Sequence, residues 1–313
     1  MPQPIVHRRR LLQAATFATT LGPLASWAAK PEKPMGYIDA HSHIWTRDVK
    51  RFPLAQGKTV ADLAPASFTD DELLKVARPA GVDRVVLIAH SIYYAFDNSY
   101  LIAAAKRRPE TFRVVAMIDD AGPKPGQQMR DLLPQHVTGF RITPRRRGRE
   151  KWLDNPGMRS MWKTAAETRQ AMCCLINPED LPAVDAMCAQ NPETPVVIDH
   201  FGRVGIDGTI REQDLRTLCR LARHPQVHVK ISAYYALGKK KPPYRDLLPM
   251  IKRVYEAYGA DRLMWASDSP YQVVDGHSYQ ASVDLVANAI DFVTAEERAA
   301  LLGKTAERVY YYQ

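Results

Sequence analysis

Cysteine is scarce in this chain: four among 313 residues, at Cys173, Cys174, Cys188 and Cys219. Their spacing fits no zinc motif, and four are too few to staple a chain of this length, so a disulfide scaffold is excluded. Cys173 and Cys174 lie in an apolar run and read as buried thiols, while an oxidising compartment leaves a Cys188–Cys219 bridge open. Long hydrophobic runs are missing as well. The apolar stretch from Leu11 to Leu24 falls short of the roughly 18 residues that span a bilayer, which argues against a stable membrane anchor. No Gly-rich phosphate loop follows the first strand-like run, so the dinucleotide-binding open sheet is disfavoured. Low-complexity segments are absent beyond a short linker. The 46% hydrophobic and 25% charged residues are ordinary for a chain that buries a core.

What is present begins with a leader. His7-Arg8-Arg9-Arg10-Leu11-Leu12 is a twin-arginine pattern, and small residues around Ser26-Trp27-Ala28 suit cleavage, so residues 1–28 read as a signal peptide. A linker at 29–34 leads into one domain at 35–313. The expectation is export by the bacterial twin-arginine machinery to the periplasm or beyond. That route carries folded proteins and suits one that takes up a metal before leaving. Losing the three leader arginines lowers the net charge from +9 to +6. The remaining basic charge is local, in Arg141, Arg145, Arg146, Arg147 and Arg149 and in Lys239, Lys240 and Lys241. A local charge points to a small anionic substrate rather than a nucleic acid. The sequence sets no oligomeric state.

Short β-branched or apolar runs then alternate with amphipathic stretches. Strands are predicted at Tyr37–His41, Arg84–Ala89, Phe112–Met117, Val137–Ile142, Met172–Ile176, Val196–Asp199, Val227–Ser232 and Arg262–Trp265. Thr69 with Glu72 forms a capping box ahead of Leu73 and Leu74, and Thr294 with Glu297 opens a helix near the C-terminus. Eight strand–helix alternations read as a single (β/α)8 TIM barrel, with a doubly wound sheet as the alternative.

Residues two apart on a strand share a face, so Asp39, His41 and His43 are expected to line up on the first strand. Two imidazoles spaced this way can chelate one divalent ion of the zinc type. The same parity places His200 on the inward face of strand six with Val196 and Ile198. It places Asp268 beyond strand eight with Met264 and Ala266. Strands one and eight are neighbours in a closed barrel, so Asp268 is expected beside His41 and His43. The metal ligands are then His41, His43 and Asp268, with His200 and Asp268 as the catalytic pair. Loops after the strand C-termini form the catalytic face. Arg141 is therefore a candidate to fork a substrate carboxylate, with His90 and Tyr234 as further substrate contacts. Tyr93, Tyr94, Tyr235 and His277 are lesser rim candidates, and His228 is expected near the barrel's bottom.

His41-Ser42-His43-Ile44-Trp45, Ile198-Asp199-His200-Phe201-Gly202 and Ser267-Asp268-Ser269-Pro270 resemble the signatures of the amidohydrolase superfamily. Within its amidohydrolase-related branch, they are closest to the sugar-lactone and 2-pyrone-4,6-dicarboxylate lactonase group. Gly139-Phe140-Arg141, Lys230-Ile231-Ser232 and Leu302-Gly303-Lys304-Thr305-Ala306 fit as well, so the resemblance spans nearly the whole mature chain. It implies hydrolysis of a cyclic ester, with Asp268 as proton shuttle. The lactonase group holds members with one Zn2+ and members with no metal, which leaves metal content open. Cys174-Leu175-Ile176-Asn177 offers no histidine after strand five, and no metal-bridging lysine is evident, so a binuclear site is not expected. Two alternatives stand beside the lactonase. One is a metal-dependent decarboxylase of a carboxylated aromatic, a group that usually carries the missing histidine. The other is an inactive barrel serving as a binding protein.

Overall fold

The computed structural model describes Met1 and residues 36–144 and 152–312. The leader, the linker and Arg145, Arg146, Arg147 and Arg149 lie outside the described residues. All eight predicted strands form: β1 (Tyr37–Ser42), β2 (Val82–Ile88), β3 (Phe112–Ala116) and β4 (Val137–Ile142), then β5 (Ala171–Cys174), β6 (Val196–Ile198), β7 (Val227–Ser232) and β8 (Leu263–Ala266). They are parallel and hydrogen-bonded in chain order. The residues just beyond β8 meet β1, where Asp268 donates its N–H to the His41 carbonyl and His43 to that of Ser269, both at 2.8 Å. Helices between the strands complete a (β/α)8 barrel. Thr69 and Thr294 cap helices through the expected boxes with Glu72 and Glu297.

The barrel's inside is filled by Ile38, Ala40, Val86, Ile88, Val115, Cys173, Val197, Met264 and Ala266, while Val85, Leu87, Val114 and Trp265 pack outward. Its lower end is sealed by the helix Thr305–Tyr310, whose Tyr310 is fully buried in the inner cluster. Below it, the Tyr311 hydroxyl donates to the Val85 and Thr111 carbonyls at 3.0 and 2.9 Å. Arg84 and Arg113 lie over the same ring. With that end plugged, the inward side chains open only towards the strand C-termini. All four cysteines are free.

Strand parity holds at β8 but fails in two places. On β1, Asp39 pairs with Val85 and Ser42 with Leu87, so three steps of β1 run against two of β2. Such a bulge re-aims side chains. It keeps His41 and His43 inside while Asp39 turns to the outer layer, where Tyr279 donates to it at 2.7 Å. Asp39 is thus a brace and not a member of the histidine face. On β6, Val196 and Ile198 face outward and Val197 inward. His200 reaches the barrel because His200, Phe201 and Gly202 adopt left-handed backbone, with φ of 54°, 54° and 60°. Only Gly202 takes that conformation without steric cost; the other two are strained, as happens at functional sites.

Gly139 explains how β4 delivers Arg141. A Cβ there would stand 2.9 Å from the Ala171 carbonyl oxygen and 3.2 Å from Val115. Gly139→Ala should therefore lower stability by about 1–3 kcal/mol through overpacking, read as a drop in Tm.

Candidate active site

Three ligand atoms converge at the open end. His41 Nε2 and His43 Nε2 are 3.4 Å apart, and Asp268 Oδ1 lies 3.4 Å from the first and 3.2 Å from the second. Ligands of a tetrahedral ion bound at about 2.0–2.1 Å stand about 3.3 Å from one another. The triangle therefore has the edge of one face of such a coordination sphere. The protonation pattern agrees at His43: its Nδ1 donates to the Ile88 carbonyl at 2.9 Å, which leaves a lone pair on Nε2. Asp268 Oδ1 is buried and has no hydrogen-bond partner. An orphaned carboxylate oxygen facing imidazole nitrogens fits a cation, so these three residues can hold one.

Electrostatics keep the groups in the forms that this requires. Burial raises the Asp268 pKa, but the neighbouring His200, His43 and His41 rings outweigh it and hold the carboxyl well below its ordinary range. Burial, reinforced by the Lys230 charge, pushes His41 well down, and burial brings His200 down to about 4. Neutral His41 and His200 thus flank an ionised carboxylate. His200 places Nε2 3.6 Å from Asp268 Oδ2, and its Nδ1 pairs with the Ser232 hydroxyl at 2.8 Å.

Beneath the triangle lies a charge layer that the sequence reading did not select. Lys230 and Asp199 are both fully buried, with Nζ 3.0 Å from Oδ1. Both also face His41 Nδ1, Lys230 at 3.2 Å and Asp199 at 3.4 Å. Burial disfavours ionised Asp199, yet Lys230 and then His41 hold its pKa well below normal. A signal for Lys230 exists in the sequence. His228, Lys230 and Ser232 alternate with Val227, Val229 and Ile231, so a polar face of β7 must look into the barrel.

The triangle opens into a cavity of about 450 Å3, inside the usual range for small-ligand sites. Arg141, His90, His200 and Asp268 line it. Arg141 is 8% exposed, donates Nη1 to the Ala89 carbonyl at 3.3 Å, and leaves its Nε without a hydrogen bond. His90 pairs with the Tyr271 hydroxyl at 2.7 Å, and burial, followed by the charges of His43 and Arg141, pushes it down to about 2. Leu175, Ile206 and Leu237 supply an apolar wall, and Arg203 joins the lining.

Other candidates fall elsewhere. Tyr234 is fully buried, donates to the Ile231 carbonyl at 2.7 Å and stays out of the lining. The left-handed turn at Ala233 sends the next ring into the cavity instead. There Tyr235 donates to Asp268 Oδ2 at 2.7 Å and stacks on Tyr271. His277 sits behind this pair on the Tyr244 hydroxyl at 2.8 Å. Lys239, Lys240 and Lys241 are exposed and do not line the cavity, so they are solvated loop charge. His228 bonds to the Gln226 carbonyl at the strand's start, as expected of a structural residue.

Known proteins share this architecture. The amidohydrolase family model matches residues 38–311. An L-fucono-1,5-lactonase of Burkholderia ambifaria is 28% identical over 283 residues, which cover 87% of this chain and 94% of that one. A 4-sulfomuconolactone hydrolase of Rhizobium radiobacter is 27% identical over 238 residues, 76% of this chain and 77% of that one. Among solved structures, an amidohydrolase of Burkholderia multivorans with bound zinc superposes with a TM-score of 0.71 at 22% identity. That match covers 88% of this chain and 99% of that one.

Proposed function

Since the chain belongs to the amidohydrolase family, we propose that it is an exported lactonase that opens the ring ester of a small lactone carrying an anionic group. The observation that carries this reading is Asp268. Its ionised carboxylate, ringed by three imidazoles, stands at the floor of a cavity that Arg141 also enters. Similarity to lactone hydrolases supports the reaction class.

The residues divide the work. Asp268 accepts the proton of a water attacking the ring carbonyl. It returns that proton to the ring oxygen as the C–O bond breaks, so water is added and a hydroxy acid leaves. His200 pairs Nδ1 with the Ser232 hydroxyl, and in the tautomer protonated at Nε2 that N–H faces the cavity, where it can stabilise the developing oxyanion. Tyr235 fixes Asp268 Oδ2 and so aims Oδ1 at the histidines. Burial and the Asp268 charge push its phenol pKa well up, which keeps it a donor. When bound by His41, His43 and Asp268, a divalent ion supplies Lewis acidity and a more acidic water. Two imidazoles and a carboxylate suit zinc, the ion in the Burkholderia multivorans relative.

The wall of Leu175, Ile206 and Leu237 offers no partner to ring hydroxyls, whereas Arg141 offers one to a carboxylate or sulfonate. A lactone carrying one anionic group is the better fit. Assays on a lactone panel, following proton release, should give turnover chiefly with such compounds. Carbon dioxide release without ring opening would instead establish a decarboxylase. Inactivity on every compound, with Asp268→Asn no less stable than the wild type, would establish a binding protein.

Tyr235→Phe tests the clamp on Asp268. Losing a hydrogen bond to a charged group should cost about 10-fold in kcat, with KM little changed and the Tm retained. An unaltered kcat would remove Tyr235 from the mechanism.

A further inference from the structure

His41, Asp199 and His200 form a second cluster with metal-ligating side chains, beneath the first and sharing His41 with it. All three are buried, with His41 and Asp199 at zero exposure. A fully buried carboxylate persists in ionised form only where a cation compensates it. The cation already in place is Lys230. Its Nζ stands 3.0 Å from Asp199 Oδ1 and 3.2 Å from His41 Nδ1, contacting an oxygen and a nitrogen that a metal there would use. Among the described residues, the other contacts to Asp199 are longer, His41 Nδ1 at 3.4 Å and the Arg141 guanidinium at 3.8 Å. The Lys230 stem rises from the polar face of β7, and its ammonium lies over the Tyr310 ring that plugs the barrel below.

We propose that the Lys230 ammonium is the resident cation of this second cluster, and that it restricts the barrel to a single divalent ion. An ammonium and a divalent ion cannot share one carboxylate oxygen at this burial, because like charges in a weakly polar interior repel strongly. Removing the ammonium frees Asp199, His41 and His200 as an O,N,N donor set. That set suits a borderline transition ion such as zinc or cobalt rather than magnesium or calcium. His41 would then serve two ions through its two ring nitrogens as an imidazolate, its ring proton released to solvent. Lys230 is thus a positioning residue that sets metal number, and it touches no substrate.

The inference rests on the lactonase reading only in taking the first ion to lie at His41, His43 and Asp268. The test is metal content of the full chain after equilibration with Zn2+ and desalting, by mass spectrometry. Co2+ absorption serves as a second readout. Wild type and Lys230→Arg should hold no more than one ion. Lys230→Ala and Lys230→Met should each hold about one more ion than wild type and show a Tm that rises with added Zn2+. The gain should vanish in the Asp199→Asn, Lys230→Met double variant, which removes the buried pair together. Two ions in wild type would overturn the proposal. So would folded Lys230→Met with unchanged metal content, or failure of both single variants to fold even with Zn2+ present. A wild type that holds no ion would sink the metal part of the lactonase reading, while the difference between variant and wild type would still decide this one.

Discussion

Asp268→Asn should lower kcat by about 10²–10⁴-fold, the range associated with losing a positioned general base. The substitution keeps shape and removes only what the mechanism needs, an anionic oxygen able to take and return a proton. The fold should survive for two reasons. Asp268 has a φ of 62°, and asparagine is among the few side chains that tolerate left-handed backbone. The amide is also isosteric with the carboxyl, and since the surroundings hold the carboxyl pKa low and so favour its charge, losing that charge should lower Tm modestly without unfolding the barrel. The pH profile carries a second check. The carboxyl pKa is held well below its ordinary range, so the base form is present at every pH above it and is lost only in strong acid. Wild-type activity should therefore hold flat from neutrality down to about pH 5. The acid limb should appear nearer the protonation of His200, whose pKa lies at about 4. An asparagine variant within tenfold of wild type would remove Asp268 from the role of base.

The same residues show where a sequence stops being readable. Eight strands were legible because each is a run of β-branched or apolar residues closed by a helical stretch, and such runs report burial directly. His43 and Asp268 were legible because β8 keeps strict alternation through Met264 and Ala266 to Asp268. Asp39 was misplaced because the bulge in β1 depends on pairing with β2 and on closure against Ser269, contacts more than forty residues distant. His200 does line the cavity, but by a different route from the alternation that suggested it. Alternation sends Asp199 inward, and only the left-handed turn after it returns His200 to the mouth. Had Val197 been assigned to the inside, Asp199 and Lys230 would have emerged together as a buried pair on adjacent strands. Tyr234 and Tyr235 differ by one position, and the turn at Ala233 decides which ring meets solvent and which meets the core. Such single-residue choices follow from local backbone geometry that residue type alone does not encode.

Arg141→Met should lower kcat/KM for an anionic lactone by about 10²-fold, mostly through KM, and leave a neutral lactone of similar size within a few-fold of wild type. The size follows from a charge-assisted hydrogen bond in a desolvated cavity, worth about 1.5–3 kcal/mol. Methionine preserves the length and much of the packing of the side chain, so the loss is one of charge and fork geometry. Arg141→Lys should recover little, since an ammonium lacks the planar pair of donors that fits a carboxylate. The variant should fold, because Asp199, the buried acid nearest Arg141, keeps Lys230 at 3.0 Å when the 3.8 Å guanidinium is gone. A further route for Arg141 runs through that acid to His41, and substrate choice separates it from direct contact. If Arg141 acts by touching the anionic group, only anionic lactones suffer. If it acts by holding Asp199 and hence His41, neutral and anionic lactones lose activity together and kcat falls rather than KM. An equal loss on both substrates would assign Arg141 to the support of His41 and leave the cavity without a demonstrated anion contact.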